Sequence, residues 1–69
     1  MKLSARNVFR GRVVAVHLGE VNAEVTVELA GGLRIVSVIT KESAGRLGLA
    51  AGKEVHTIVK ASSVMIATE

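Results

Sequence analysis

Apolar and polar residues alternate most cleanly from Ala23 to Ala30, with Val25, Val27 and Leu29 on one side and Glu24, Thr26 and Glu28 on the other. A period of two is the signature of a strand with one face in a core and one in solvent. Upstream, Val8 to His17 reads as an earlier strand. Its Val13-Val14-Ala15-Val16 stretch is apolar at successive positions, so both faces are expected to be covered. Gly11 interrupts this strand and predicts a bulge or a sharp bend. Leu18 to Asn22 is a connection. Gly31-Gly32 predicts a tight primed hairpin turn, because glycine accepts positive φ, and Leu33 to Ile39 is the returning strand. Thr40 to Gly48 reads as a short helix, with Thr40 as N-cap and Gly48 taking the left-handed conformation that ends it. After a turn at Ala51-Gly52-Lys53, Glu54 to Lys60 and Val64 to Thr68 form the last two strands, joined by Ala61-Ser62-Ser63. The order β-β-β-α-β-β predicts an all-β fold with one short helix, a partly closed five-stranded barrel of the oligonucleotide/oligosaccharide-binding (OB) type.

A chain of 69 residues makes a single domain, residues 1–69, and one this small is only marginally stable without help. Cysteine is absent, which removes disulfides and thiolate metal sites. His17 and His56 have no ligand-like spacing and read as surface or interface residues. Self-association is the remaining source of stability. The 49% hydrophobic content agrees, since it exceeds what one small core hides and leaves apolar surface for other subunits.

The net charge of +3 favours an anionic partner. With no Trp, no Tyr and Phe9 as the only Phe, the chain cannot build the aromatic platform on which single-stranded nucleic acids stack. It has no apolar run long enough to cross a membrane, and its start, Met1-Lys2-Leu3-Ser4, lacks the apolar core of a signal peptide, so a cytoplasmic location is expected. Catalysis is not expected: Cys, Asp and Tyr are absent, the six acids are all Glu, and no serine stands in a nucleophile elbow. Gly31-Gly32 is not followed by the Lys-Ser/Thr helix start of a phosphate loop.

Two polar phrases stand out in this apolar chain, Ser4-Ala5-Arg6-Asn7 at the start and Lys60-Ala61-Ser62-Ser63 near the end. Ser4 and Arg6 are two apart, so on an extended segment they point to one side. Arginine brings a rigid fork of donors suited to a tetrahedral oxyanion. Lys60 adds a second charge, and Ala61 and Ser62 add backbone amides. Thr40 and Ser43 lie at the predicted helix start, where N–H groups are unpaired. Together these pieces supply charge neutralisation and a shell of donors for a dianion. Each also has a plain structural reading: Arg6 and Lys60 as solvated charges, Thr40 as a helix cap, Ser62-Ser63 as a turn.

The same residues carry a family resemblance. Met1-Lys2-Leu3-Ser4-Ala5-Arg6-Asn7, Gly11-Arg12-Val13-Val14, Gly19-x-Val21-Asn22-Ala23, Leu47-Gly48-Leu49 and Lys60-Ala61-Ser62 resemble, in order and over essentially the whole chain, the small molybdate-binding molbindin (Mop) proteins built from the TOBE domain. That resemblance implies an OB-like barrel assembled as a homohexamer, a trimer of dimers. It implies molybdate or tungstate bound as an intact dianion between subunits, with no organic cofactor, for cytoplasmic storage or homeostasis. By motif, Ser4, Ala5, Arg6, Lys60, Ala61 and Ser62 line the main site, with Thr40 and Ser43 from a neighbouring subunit. The turn Gly19-Glu20-Val21-Asn22-Ala23 is the candidate for a second site. The alternatives are a nucleic-acid-binding OB-type module and a regulatory oxyanion sensor acting through a partner protein.

Overall fold

The computed structural model describes residues 1–69. Its strands are β1 (Asn7–Leu18), β2 (Asn22–Leu29), β3 (Arg34–Thr40) and β4 (Glu54–Val59), with one helix, α1 (Lys41–Arg46), between β3 and β4. All pairings are antiparallel, in the order β3-β2-β1-β4.

The sheet curls because β1 serves two partners in sequence. Its first half, Asn7 to Arg12, pairs with β4, and its second half, from Gly11 onward, pairs with β2. Only Gly11 and Arg12 are paired on both sides. The predicted bulge exists but lies elsewhere: the register slips between Val13 and Ala15, so Val14 is the extra residue. Gly11 answers a different need, close approach. A Cβ there would lie 2.6 Å from Val27 Cγ1 and 2.8 Å from the Glu28 carbonyl oxygen.

The alternation in β2 translates directly into burial. Ala23, Val25 and Val27 are buried, while Glu24 faces solvent. Val13, Val25 and Val27 form the core, with Val16, Leu29, Ile35, Ile39, Leu49 and Val55 packed around it. The connection between β2 and β3, Ala30 to Leu33, is two residues longer than predicted and holds a 3-10 turn over Ala30–Gly32, with Gly31 and Gly32 both at positive φ (84° and 83°). Helix α1 is shorter than predicted but ends where expected. Thr40 Oγ1 accepts from the Ser43 N–H at 3.0 Å. At the other end Gly48 (φ 63°) donates to Gly45 and Leu49 donates to Ala44, both at 3.0 Å, which satisfies the carbonyls a helix end leaves open. Lys53 Nζ also donates to the Leu47 carbonyl there.

The predicted fifth strand is not part of the sheet. Val64 to Thr68 follows a second 3-10 turn, Ala61–Ser63, and has no strand partner, so it cannot count as a strand. The sheet is curled and four-stranded, and β3 and β4 are left as its two free edges. Only five residues are buried, and Leu33, Val36, Val38, Met65 and Ile66 are all exposed. No helix is long and apolar enough to cross a membrane.

Candidate functional site

The β1–β4 register brings the two polar phrases together. Asn7 lies opposite Val59, so the residues just before β1 and just after β4 are neighbours at one end of the sheet. Ser4, Ala5, Arg6, Lys60, Ala61 and Ser62, with Ile58, line one cleft of about 550 Å³. Fifty-two residues of intervening chain separate Asn7 from Lys60, and the antiparallel pairing of two strand ends brings them side by side.

The cleft is positively charged. Arg6 and Lys60 bring two cations, and none of the lining residues is acidic. The ion pairs of the molecule are Arg10–Glu54 and Arg34–Glu28, both 3.3 Å and exposed, so neither cleft cation is neutralised by a carboxylate. The turn at Lys60 adds donors. Ser63 N–H donates to the Lys60 carbonyl at 2.9 Å and Val64 N–H to that of Ala61 at 3.3 Å, while the N–H groups of Ala61 and Ser62 have no backbone acceptor. The first amides of a helical turn have no internal partner, so they are available to a ligand. Two cations, two serine hydroxyls and unpaired amides suit a tetrahedral dianion, which needs charge compensation and several donors at once.

Thr40 and Ser43 are not in this cleft. They lie at the far end of the molecule, beyond the C-terminal end of β1, where Asn22 pairs with Thr40. A strand of 12 residues spans on the order of 35 Å, so no side chain of the same chain bridges the two ends. Thr40 Oγ1 donates to Ser43 Oγ at 2.8 Å in addition to capping the helix. The Gly19–Ala23 turn is at this same end. It is closed by Gly19 N–H to the Asn22 carbonyl at 2.8 Å and tied to α1 by Lys41 N–H donating to the Val21 carbonyl at 2.7 Å. Glu20 and Val21 are exposed and Ala23 is fully buried. Ile58 is the cleft residue that sequence reading missed. Its signal was the outward phase of β4, shared with Glu54 and His56, which leaves an apolar side chain exposed beside Lys60.

Comparison with known proteins places this architecture. The TOBE domain family matches residues 3–66. The chain belongs to that family, in its branch of small molbindin (Mop) proteins. Molybdenum-pterin-binding protein 2 of Clostridium pasteurianum is 46% identical over 66 residues, which is 96% of this chain and 97% of that protein. The molybdenum transport protein ModE of Azotobacter vinelandii is 52% identical over the full 69 residues, and the chain spans 26% of its length. Among solved structures, apo MopII from Clostridium pasteurianum superposes with a TM-score of 0.93 at 43% identity, covering 97% of this chain and 100% of that one. The cytoplasmic molybdate-binding protein ModG with molybdate bound superposes with a TM-score of 0.85 at 59% identity, covering 88% of this chain and 43% of that one.

Proposed function

We propose that this protein binds molybdate or tungstate as an intact oxyanion, without catalysis and without an organic cofactor, and stores or buffers it in the cytoplasm. The observation that carries this reading is the cleft formed by Ser4, Ala5, Arg6, Lys60, Ala61 and Ser62, which joins two unneutralised cations to hydroxyl and amide donors and contains no acid. The relatives add weight, since they are named for molybdenum binding and one related structure, ModG, holds molybdate.

The complete site is assembled from more than one copy. Thr40 and Ser43 belong to it as residues of a neighbouring subunit, because they lie at the opposite end of their own chain. The chain is a homohexamer, a trimer of dimers, and this is where its exposed Val36, Val38, Met65 and Ile66 are covered. The turn Gly19-Glu20-Val21-Asn22-Ala23 is the second anion position, with Glu20 turned outward. A second reading is an oxyanion sensor that acts through a partner protein, in line with the match of this chain to one segment of a longer protein, the molybdenum transport protein ModE.

The test is isothermal titration of the purified protein with molybdate in excess sulfate, with light scattering to count subunits. Tight binding at about one anion or more per chain, in an oligomer, supports the reading. No heat of binding at micromolar protein refutes it. A pull-down with and without molybdate separates sensor from store.

A further inference from the structure

The outward side of β4 carries one residue that the sheet itself does not require. Strand phase puts Glu54, His56 and Ile58 on that side, and the first two are polar, as a solvent-facing side demands. Ile58 is apolar and 47% exposed there, so burial in the core does not account for it. Its neighbour across the strand pair is Val8, itself half-buried, and the next pair on this side is Arg10 with His56. Ile58 therefore stands between two polar zones, Arg10 and His56 behind it and the cleft with Arg6 and Lys60 ahead. The Lys60 backbone is still extended, at φ −62° and ψ 126°, so the side chains of Ile58 and Lys60 leave the chain toward the same side. The polar side chains of the cleft are Ser4, Arg6, Lys60 and Ser62, and Ile58 is the one large apolar group beside them.

We propose that Ile58 is a specificity-determining residue, an apolar wall that makes the cleft favour large, weakly hydrated tetrahedral dianions such as molybdate and tungstate over sulfate. The inference rests on the proposed oxyanion site and says how that site chooses. Two cations and a set of hydroxyl and amide donors attract any tetrahedral dianion, so charge alone does not separate these anions. Hydration does. Sulfate is smaller, so the same charge lies on less surface and holds its water more tightly. The donors of Ser4, Arg6, Lys60 and Ser62 replace water on the sides they face. Ile58 offers no hydrogen bond, so an anion pressed against it gives up water on that side and gains no donor. That loss is larger for sulfate. The wall thus acts against the competitor more than it helps the ligand. β-Branching suits the role. A side chain stiff at χ1, with Val8 across the strand pair, keeps its place in the opening where a flexible one would move aside and admit water.

Titration calorimetry of the full chain with sodium molybdate, alone and in competition with sodium sulfate at one ionic strength, tests this in wild type, Ile58→Val, Ile58→Ala and Ile58→Thr. Alanine makes room for water, and threonine adds a hydroxyl in a side chain that still suits a strand. Each of these two is expected to narrow the molybdate-over-sulfate affinity ratio about 10-fold, the contribution of one recovered hydrogen bond, while Ile58→Val keeps the wild-type ratio. The ratio is the deciding readout because a purely structural defect weakens both anions alike. An unchanged ratio in Ile58→Ala and Ile58→Thr overturns the proposal, whether the two affinities stay where they were or fall together. Wild-type protein that binds sulfate as tightly as molybdate overturns it too and leaves the oxyanion reading intact. If wild type binds no molybdate, the oxyanion reading fails and this inference fails with it.

Discussion

Replacing Gly11 with alanine tests the central joint of the fold. Gly11 is one of two residues in β1 paired on both sides, opposite Leu29 in β2 and Val55 in β4. Its backbone is not in the left-handed region, so alanine meets no torsional penalty there. The obstacle is space. The new methyl would lie 2.6 Å from Val27 Cγ1, 2.8 Å from the Glu28 carbonyl oxygen and 3.0 Å from Leu29 Cδ2. The Glu28 oxygen belongs to a paired strand and cannot swing aside as a side-chain tip does. Overfilling a packed site costs about 1–3 kcal/mol, and a backbone contact puts this case in the upper part of that range. The reduced freedom of the unfolded chain returns about 0.4–1 kcal/mol. The net loss is about 2 kcal/mol, which for a domain of this size lowers Tm by roughly 8–16 °C. The assay is thermal unfolding followed by circular dichroism at one fixed protein concentration, because assembly makes Tm concentration-dependent. Gly45→Ala is the matched control. Nothing lies within 4 Å of its Cβ position and it is inside α1, so helix propensity alone raises stability by about 0.5–1 kcal/mol. A Gly11→Ala protein as stable as wild type would refute the close approach of β1 and β2 and the curl built on it.

Three further outcomes are expected. Arg6→Ala removes one of two cleft cations and weakens molybdate affinity about 10- to 100-fold by titration calorimetry, the worth of a charged hydrogen bond or two, whereas Arg34→Ala, whose partner is Glu28, leaves affinity unchanged. Thr40→Ala deletes the cap on the Ser43 N–H and costs about 1 kcal/mol in chemical denaturation without ligand, and its molybdate affinity falls as well if Thr40 reaches a neighbour's site. Molybdate at 100 times its dissociation constant adds about 2.7 kcal/mol of stability per bound site and raises Tm, while sodium chloride at the same ionic strength does not.

Local order was legible in the chain. Period-two alternation marked β2 and its buried face, glycine pairs marked the hairpin, and Thr40 and Gly48 marked the two ends of α1, because each of these rests on interactions within a few residues. The two polar phrases were visible for the same reason, as local departures from an apolar background. What lay beyond reach depends on pairing between distant segments. The slip at Val14 is a property of β1 against β2 and not of either strand alone, so a glycine three residues away attracted the bulge in sequence. Ile58 joined the cleft through the β1–β4 register. The C-terminal segment carries a strand's residues but no strand's hydrogen bonds, since a strand exists only beside another and this chain by itself offers Val64–Thr68 no partner. Periodicity alone therefore determined which residues favour extension and which favour turns. Only the tertiary structure decided which edges meet, that Arg6 and Lys60 share a cleft while Thr40 lies at the other end, and that the two outer edges of the sheet remain open.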